Sequence, residues 1–385
     1  MSNNFTAFMP SFYAGLNKVQ SEQTDLIDAV YMNATLDKAV IGQTITYPIA
    51  PVATLQNTSY AGLPTASDST AGSGTLSLTD SSSFVFAYNG EEIQQLQLGG
   101  IYSNYYADQI AQGARALRKK VSDSIVTKAV NGACRAIGTY GTNPFVTAGD
   151  LSAFANCNKV LNDNGSPDSD RHMILNTSHV AGIQGKVSNL FKANEAGTDR
   201  LLRTGVIGTV EGFAIGMDTQ LASRSTFGTA AAAHNTASIT AGATSFDMTC
   251  TYGTAPVAND TFYFATDDQT RAYVVKSYSG STVTVNQPGI MSDTTAATTM
   301  TFNSTAYKPS LFLTRDAITL IARQPLLPYS GPQGQLLDLT VLPDPRTGLN
   351  YQLAMWQNGR QMVIEMALVW GVGVSNPQNL GLLVG

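Results

Sequence analysis

A long helical repeat of apolar positions lies in the first third of the chain. Between residues 103 and 135, apolar side chains recur at steps of three and four residues, with polar and charged side chains between them. The repeating apolar positions are Ala107, Ile110, Ala111, Ala114, Leu117, Val121, Ile125 and Ala129. This spacing predicts a helix with one buried face, and about thirty residues at about 1.5 Å each would span about 45 Å. A helix of this length would form the spine of a domain.

Shorter patterns of both kinds follow the spine. Residues 150–161 and 178–191 have helical spacing, and a buried strand is predicted between them at 173–176. An amphipathic helix is predicted around residues 315–323. Alternation then predicts three strands, at 336–344, 349–357 and 360–374, and Asn358-Gly359-Arg360 suits a hairpin turn. The chain is therefore predicted to belong to the α+β class.

Four glycines punctuate the segment LLRTGVIGTVEGFAIGMDTQL at residues 201–221. Gly205, Gly208, Gly212 and Gly216 recur with β-branched and aromatic residues between them. Because glycine tolerates positive φ and close backbone approach, we interpret Gly205, Gly208 and Gly212 as sharp, crowded turns that lead into a strand. On these residues alone, an ordinary β-hairpin in an α/β enzyme is an equally good interpretation.

The N-terminal part lacks the composition of a globular core. Residues 1–47 are predicted to form an arm, with a short helix between Asp25 and Ala39. Pro48 and Pro51 disfavour a central strand, and the following stretch to residue 83 is rich in Gly, Ser and Thr. Such a stretch cannot build a core of its own. Residues 48–86 are therefore predicted to be an extended loop or a two-stranded flap that projects from the body.

A change of composition at about residue 223 marks a further unit. Thr, Ala, Ser and Gly dominate from there to residue 305, and short alternating strands are predicted at 245–250, 260–267, 271–279 and 281–288. The flanking segments on both sides belong to one mixed domain. We therefore interpret residues 223–305 as an inserted small all-β domain of five or six strands.

Composition narrows the class of protein. Apolar residues make up 43% of the 385 residues, but charged residues only 13%, about half of the usual share of roughly 25%. A subunit that buries much of its surface against neighbours needs little surface charge, although a secreted β-rich protein would look similar. The net charge of −5 argues against a nucleic-acid binder by bulk charge. We expect no membrane span and no signal peptide, and we expect the three cysteines to be reduced thiols.

No arrangement of residues indicates catalysis, a cofactor or a metal. His172 and His179 stand seven residues apart with no carboxylate or cysteine cluster beside them, and His234 is isolated. Ser178 lacks the Gly-x-Ser-x-Gly context of a nucleophile elbow. The glycine segment lacks the Lys-Ser/Thr ending of a phosphate-binding loop. The sequence therefore predicts a protein that is not an enzyme.

The order of these segments resembles the major capsid proteins of tailed bacteriophages, whose shell-forming fold also occurs in encapsulins. The resemblance depends on five pieces, SDSIVTKAVNG, RHMILNTSHV, LLRTGVIGTVEGFAIGMD, KPSLFLTRDAITLIARQPL and MVIEMALVWGVGV, in this order. Residues 259–265 and 283–288 also resemble the inserted β-domain of the podovirus coat-protein subgroup.

The resemblance implies a phage major-capsid fold with a definite domain plan. The plan is an N-terminal arm at 1–47, an extended loop at 48–86, a peripheral domain with the spine helix at 87–143 and 322–370, an axial domain at 144–222, 306–321 and 371–385, and the inserted domain at 223–305. The extended loop would reach onto a neighbouring subunit.

The resemblance also implies a function and a set of partners. The chain would self-assemble into an icosahedral shell that encloses the phage genome. Its partners would be copies of itself in pentamers and hexamers, scaffolding and portal proteins, and packaged double-stranded DNA without sequence preference. Its place would be the virion, after assembly in the host cytoplasm.

The basic residues of the spine leave two interpretations open. Arg115, Arg118, Lys119 and Lys120 could face the packaged DNA, or they could form the solvated face of the helix. Two other classes of protein also stay open, an encapsulin-like compartment shell and a β-rich binding or adhesion protein.

Overall fold

The computed structural model describes residues 23–49, 72–98, 102–147, 149–186, 208–228, 232–252, 254–268, 270–327 and 335–385. The helices are α1 (Gly90–Leu98), α2 (Tyr102–Gly132), α3 (Ser152–Asp163) and α4 (Thr177–Lys186). The strands are β1 (Tyr31–Ala39), β2 (Thr44–Ile49), β3 (Gly72–Ser77), β4 (Asp80–Asn89), β5 (Arg135–Ile137), β6 (Arg171–Leu175), β7 (Thr209–Val210), β8 (Phe213–Met217), β9 (Ala232–Asn235), β10 (Ser245–Tyr252), β11 (Thr261–Phe264), β12 (Arg271–Ser279), β13 (Thr282–Val285), β14 (Thr299–Phe302), β15 (Pro309–Thr314), β16 (Ile318–Pro325), β17 (Gln335–Pro343), β18 (Asn350–Asn358), β19 (Gln361–Val374) and β20 (Leu380–Val384).

The predicted spine is confirmed as helix α2, which packs on a six-stranded sheet. The sheet has the order β1-β16-β19-β18-β17, and β4 pairs with the other edge of β19. Alternate residues of β4 carry an aromatic ladder toward the helix, in which the rings of Phe84, Phe86 and Tyr88 lie 5.6 Å apart. Gly113 of the helix gives Phe84 the space it occupies. The missing side chain of Gly113 therefore lets the sheet and the helix approach closely at this point.

Strands β2 and β3 form a two-stranded ribbon outside the larger sheets. Six residue pairs, from Thr44 with Ser77 to Ile49 with Gly72, join them in antiparallel register. A small hydrophobic cluster attaches the base of the ribbon to the six-stranded sheet; its members are Ala39, Leu76, Leu78, Ile321 and Val369. The two-stranded flap predicted within residues 48–86 is therefore present at its described ends, and residues 50–71 lie outside the described part of the chain.

The second sheet joins the remaining strands. Its order is β11-β14-β9-β10-β13-β12-β5-β20-β15-β6-β8-β7, and β11 also pairs with β12. That extra pairing closes β9 to β14 into a six-stranded barrel, in which every neighbouring pair is antiparallel. The barrel surrounds its own hydrophobic cluster, with Phe262 at its centre. Beyond β12, strand β5 connects the barrel to the rest of the sheet.

Most of the predicted elements are confirmed, but two helices are wrong. Residues 315–317 form one 3-10 turn and the residues after them are strand β16, which lies between parallel β1 and antiparallel β19. Its side chains are buried on both faces, and a strand of this kind lacks the alternation that would distinguish it from a helix. The helix predicted between Asp25 and Ala39 is instead a turn followed by β1.

Candidate functional site

The four basic residues predicted on the spine do not share one surface. Arg118 is buried, and its Nε and Nη2 atoms lie 2.9 and 2.8 Å from Oδ2 of Asp344. The hydroxyl of Thr347 and the backbone N–H of Arg346 also donate to this carboxylate. The prediction that Arg118 faces DNA is wrong, because its charge is used inside the subunit to join the spine to the turn between β17 and β18.

The neighbouring basic residues lie outside the core. Lys119 and Lys120 are exposed, Arg115 is half-buried, and the Nζ of Lys120 donates to the hydroxyl of Ser82 at 2.8 Å. Asp123, one turn further along the helix, is exposed as well and offsets part of this positive charge. The basic surface of the spine is therefore centred on Lys119 and Lys120.

The glycine segment has a different geometry from the one expected. Gly205 lies outside the described residues. A Cβ on Gly208 would meet no atom within 4 Å, so the crowding expected there is not found. Gly212 has φ of +85° in the turn between β7 and β8, a conformation that favours glycine, although its surroundings are open. The crowded position is Gly216, where a Cβ would lie 2.8 Å from that of Asp25.

The strand after these glycines ends in a buried carboxylate. Asp218 accepts hydrogen bonds from the hydroxyl of Ser122 on the spine and from the backbone N–H of Gln220, each at 2.7 Å. Burial, together with the charge of Asp25, raises the pKa of Asp218. No local pattern in the sequence indicates this partner, because Ser122 lies 96 positions away from Asp218. The carboxylate acts as a structural joint between β8 and α2.

The histidines and cysteines are placed as structural groups. His179 is buried with Nδ1 2.6 Å from the hydroxyl of Ser310, and burial with the charge of Lys308 lowers its pKa to about 4. His172 is 3.0 Å from the carboxylate of Asp170. The thiols of Cys134 and Cys157 are free and buried, and burial raises the pKa of each.

The described part of the chain holds neither a cluster of metal ligands nor a helix that could span a membrane. No three His, Cys, Asp or Glu side chains there converge as metal ligands. No helix among them has the length and the apolar character needed to cross a membrane.

The open rims of the six-stranded sheet offer surfaces for contact with other molecules. Within the described residues, β1, β4 and β17 each pair along one edge only. Adjacent to β1 lies an apolar patch, here called the rim patch, formed by Val40, Ile41 and Leu326 with exposed fractions of 55, 56 and 60%. Because β1 and β16 are parallel and Ala39 pairs with Pro325, these side chains lie at the same end of the two strands. Unpaired edges and exposed apolar groups are features of protein interfaces.

Comparison with known proteins gives a likeness in structure only. No protein-family model matches the sequence, and no curated protein matches it. A solved chain from Mycobacterium phage Che8 superposes with a TM-score of 0.50 at 14% identity, over 95% of this chain and 93% of that one. The capsid structure of Cyanophage P-SCSP1u gives 0.49 at 11% identity over 95 and 89%, and the virus-like particle from Pyrococcus furiosus gives 0.41 at 9% over 98 and 97%.

The likeness to the Che8 chain extends over nearly the whole length of both proteins. At this level of identity it concerns the fold. This chain has the fold of a tailed-phage major capsid protein.

Proposed function

We propose that this chain is a major capsid protein whose copies assemble into an icosahedral shell around a phage genome. The proposal is carried by the fold, which matches the solved Che8 chain over 95% of this sequence. The surface supports it, because charged residues make up only 13% of the chain and the six-stranded sheet has open edges beside the rim patch. The role would be structural, without catalysis and without a cofactor.

The proposed domain plan keeps the order that the resemblance suggests but changes two bounds. Strand β1 and most of β4 fall in the predicted arm and extended loop, yet both pair within the six-stranded sheet and are assigned to the peripheral domain. Helix α2 and the six-stranded sheet would form the peripheral domain, the ribbon would belong to the extended loop, and α3, α4 and the strands around β6 would form the axial domain. Copies would meet in pentamers and hexamers, and scaffolding and portal proteins would take part in assembly in the host cytoplasm. The mature place of the chain would be the virion.

We also propose that residues 223–305 are an inserted domain. The closed pairing of β9 to β14 around a separate hydrophobic cluster supports this. The two connections to the body support it as well, because Arg224 and Tyr307 exchange backbone hydrogen bonds of 2.8 and 3.0 Å where the chain enters and leaves the barrel. The Arg224 guanidinium, 2.9 Å from the buried carboxylate of Asp260, fixes the same junction.

For contact with packaged DNA we propose Lys119, Lys120 and Arg115, with Arg118 excluded by its ion pair. Contacts of lysine with phosphate carry no base information and weaken as salt increases. A net charge of −5 limits this contact to a weak, sequence-independent one.

Electron microscopy of the purified full-length chain tests the proposal. We expect closed shells, formed by the chain alone or with a scaffolding protein from the same genome. A protein that stays monomeric or forms one small oligomer, both with and without the scaffolding protein, would contradict the proposed function and would favour a binding or adhesion protein. Shells filled with protein cargo and free of nucleic acid would favour the encapsulin-like alternative.

A further inference from the structure

Strand β19 is covered on both faces at its C-terminal end. Leu368, Trp370 and Val372 belong to the hydrophobic core that includes the spine helix. Because side chains alternate along a strand, Val369, Gly371 and Gly373 point to the opposite face. There Val369 packs with Leu76 and Leu78 at the base of the ribbon. The strand thus separates the spine from the ribbon.

Gly371 lies where the chain leaves the ribbon and crosses toward β4. A Cβ on Gly371 would overlap the carbonyl oxygen of Ser77 and would lie 3.0 Å from Cα of Leu78. The obstructing atoms are backbone atoms, so the crossing chain itself would have to move. Gly371 lies in a regular strand without positive φ, and alanine therefore suits its backbone conformation. Glycine is required at this position only because the crossing chain leaves no room for a Cβ atom.

Gly373, two residues along the same face, provides a contrast. A Cβ on Gly373 would lie 2.6 Å from Cδ1 of Leu76, which is the end of a flexible side chain. Rotation of Leu76 can relieve that contact, whereas nothing short of a backbone shift relieves the contact at Gly371.

A shift of the crossing chain would be transmitted to the whole ribbon. The N–H of Gly42 donates to the carbonyl of Leu78 at 2.9 Å, and the N–H of Leu78 donates to the carbonyl of Gln43 at 3.0 Å. These two bonds continue into the six paired positions of β2 and β3. Leu78 is therefore coupled to both strands, and its distance from β19 determines the direction in which the ribbon leaves the sheet.

We propose that Gly371 is a positioning residue for assembly. Its missing side chain seats the chain at Ser77 and Leu78 against β19, and this contact sets the angle of the ribbon. The consequence for shells rests on the proposed function, because there the ribbon would meet the next copy of the chain.

The test compares Gly371→Ala with Gly373→Ala and with a control, Gly208→Ala, where an added Cβ would meet no atom within 4 Å. Hydrogen exchange of the unassembled full-length chain reports on the ribbon and on α2 separately. For Gly371→Ala we expect exchange in 44–49 and 72–77 to become roughly tenfold faster or more, with α2 unchanged. For Gly373→Ala we expect a change of about twofold or less, reversed by Leu76→Val, and for Gly208→Ala no change.

Microscopy of assembled particles is the second readout. We expect Gly371→Ala to give shells of altered diameter or open sheets, and Gly373→Ala to give shells like those of the wild type. Wild-type ribbon exchange together with wild-type shells in Gly371→Ala would overturn the proposal. If the wild-type chain formed no shells, the proposed function would fail. Hydrogen exchange in the ribbon would still test whether Gly371 positions the ribbon.

A second variant covers the case in which Gly371→Ala does not fold. Thr79→Gly added to Gly371→Ala gives the crossing chain freedom to pass over the new methyl group. Recovery of α2 protection with a fast-exchanging ribbon would support the proposal. Continued loss of α2 protection would contradict it, because the damage would then lie in the sheet.

Discussion

The barrel and the six-stranded sheet differ in how the backbone hydrogen-bonding groups of their strands are paired. Each of the six barrel strands pairs with a barrel neighbour on both edges, and the apolar side chains meet in one interior cluster. Among the described residues, the six-stranded sheet ends at β1, β4 and β17, and it carries the rim patch on its surface. A closed sheet has no edge to offer, whereas an open one provides sites at which other chains can pair.

This difference separates stability within a subunit from contact between subunits. Most of the barrel's strand pairing and its hydrophobic cluster come from its own residues, although residues 271–273 of β12 also pair with β5 of the body. The open sheet buries one face against α2 and leaves unpaired edges at its rims, which is what the proposed shell subunit would require. Four changes test the comparison, from the largest expected effect to the smallest.

Phe262→Ala should unfold the barrel first. The Phe262 ring lies 5.2 to 6.0 Å from those of Phe246, Phe264, Tyr273 and Phe302. Loss of this ring should cost about 3–5 kcal/mol of stability. We expect hydrogen-exchange protection to be lost from β9 to β14 but kept in α2. Thr301→Ala, at an exposed position of β14, is the control. Equal loss in both regions would show that the barrel is not a separate unit.

Arg118→Ala should destabilise the body instead. The change leaves the buried Asp344 carboxylate without its cation. Breaking a buried ion pair in this way costs about 3–5 kcal/mol in the free energy of unfolding, and we expect about 3 kcal/mol here because Thr347 still donates to the carboxylate. Urea denaturation measures this cost, with Lys119→Ala as the exposed control. Arg118→Met combined with Asp344→Leu should recover only part of the stability, because the Thr347 hydroxyl and the N–H of Arg346 then lose their acceptor. A stability equal to the wild type in Arg118→Ala would contradict the buried pair.

Acid should weaken the region around His179, which lies outside the barrel. The folded state holds this imidazole neutral with a pKa of about 4, while the unfolded chain binds a proton near the ordinary value of 6.5. Stability is therefore fully present above about pH 6.5 and is lost as the pH falls toward 4, with a loss of about 2 kcal/mol at pH 5. Denaturation at pH 8 and pH 5 measures it. His179→Gln should abolish this part of the pH dependence, and an unchanged slope in that variant would refute the assignment.

Charge reversal at Lys119 and Lys120 should hardly affect stability. Both side chains are exposed, so the expected change is within about 0.5 kcal/mol. Nucleic-acid content and its salt dependence in assembled particles should decrease in Lys119→Glu/Lys120→Glu if these residues face the genome. Unchanged packaging with unchanged stability would place them on another surface.

The sequence predicted the elements whose evidence is local. The spacing of apolar residues predicted α2, alternation predicted β17 to β19, and Asn358-Gly359-Arg360 predicted their hairpin, in which Gly359 has φ of +59°. Strand β16 was missed because a strand buried on both faces has no alternating pattern. Alternate glycines at 371 and 373 in an apolar strand were the available signal for a close backbone approach.

What the sequence determined by itself was the local periodicity, the low charge and the order of segments, because each depends on residues near one another in the chain. What only the tertiary structure decided was which charges are used inside the subunit and which glycines need space. Arg118 and Asp344 are 226 positions apart. The need for glycine at position 371 arises from the segment at residues 77 and 78, which crosses over it. Contacts of this kind depend on folding that brings distant segments together, and no pattern within a short window encodes them.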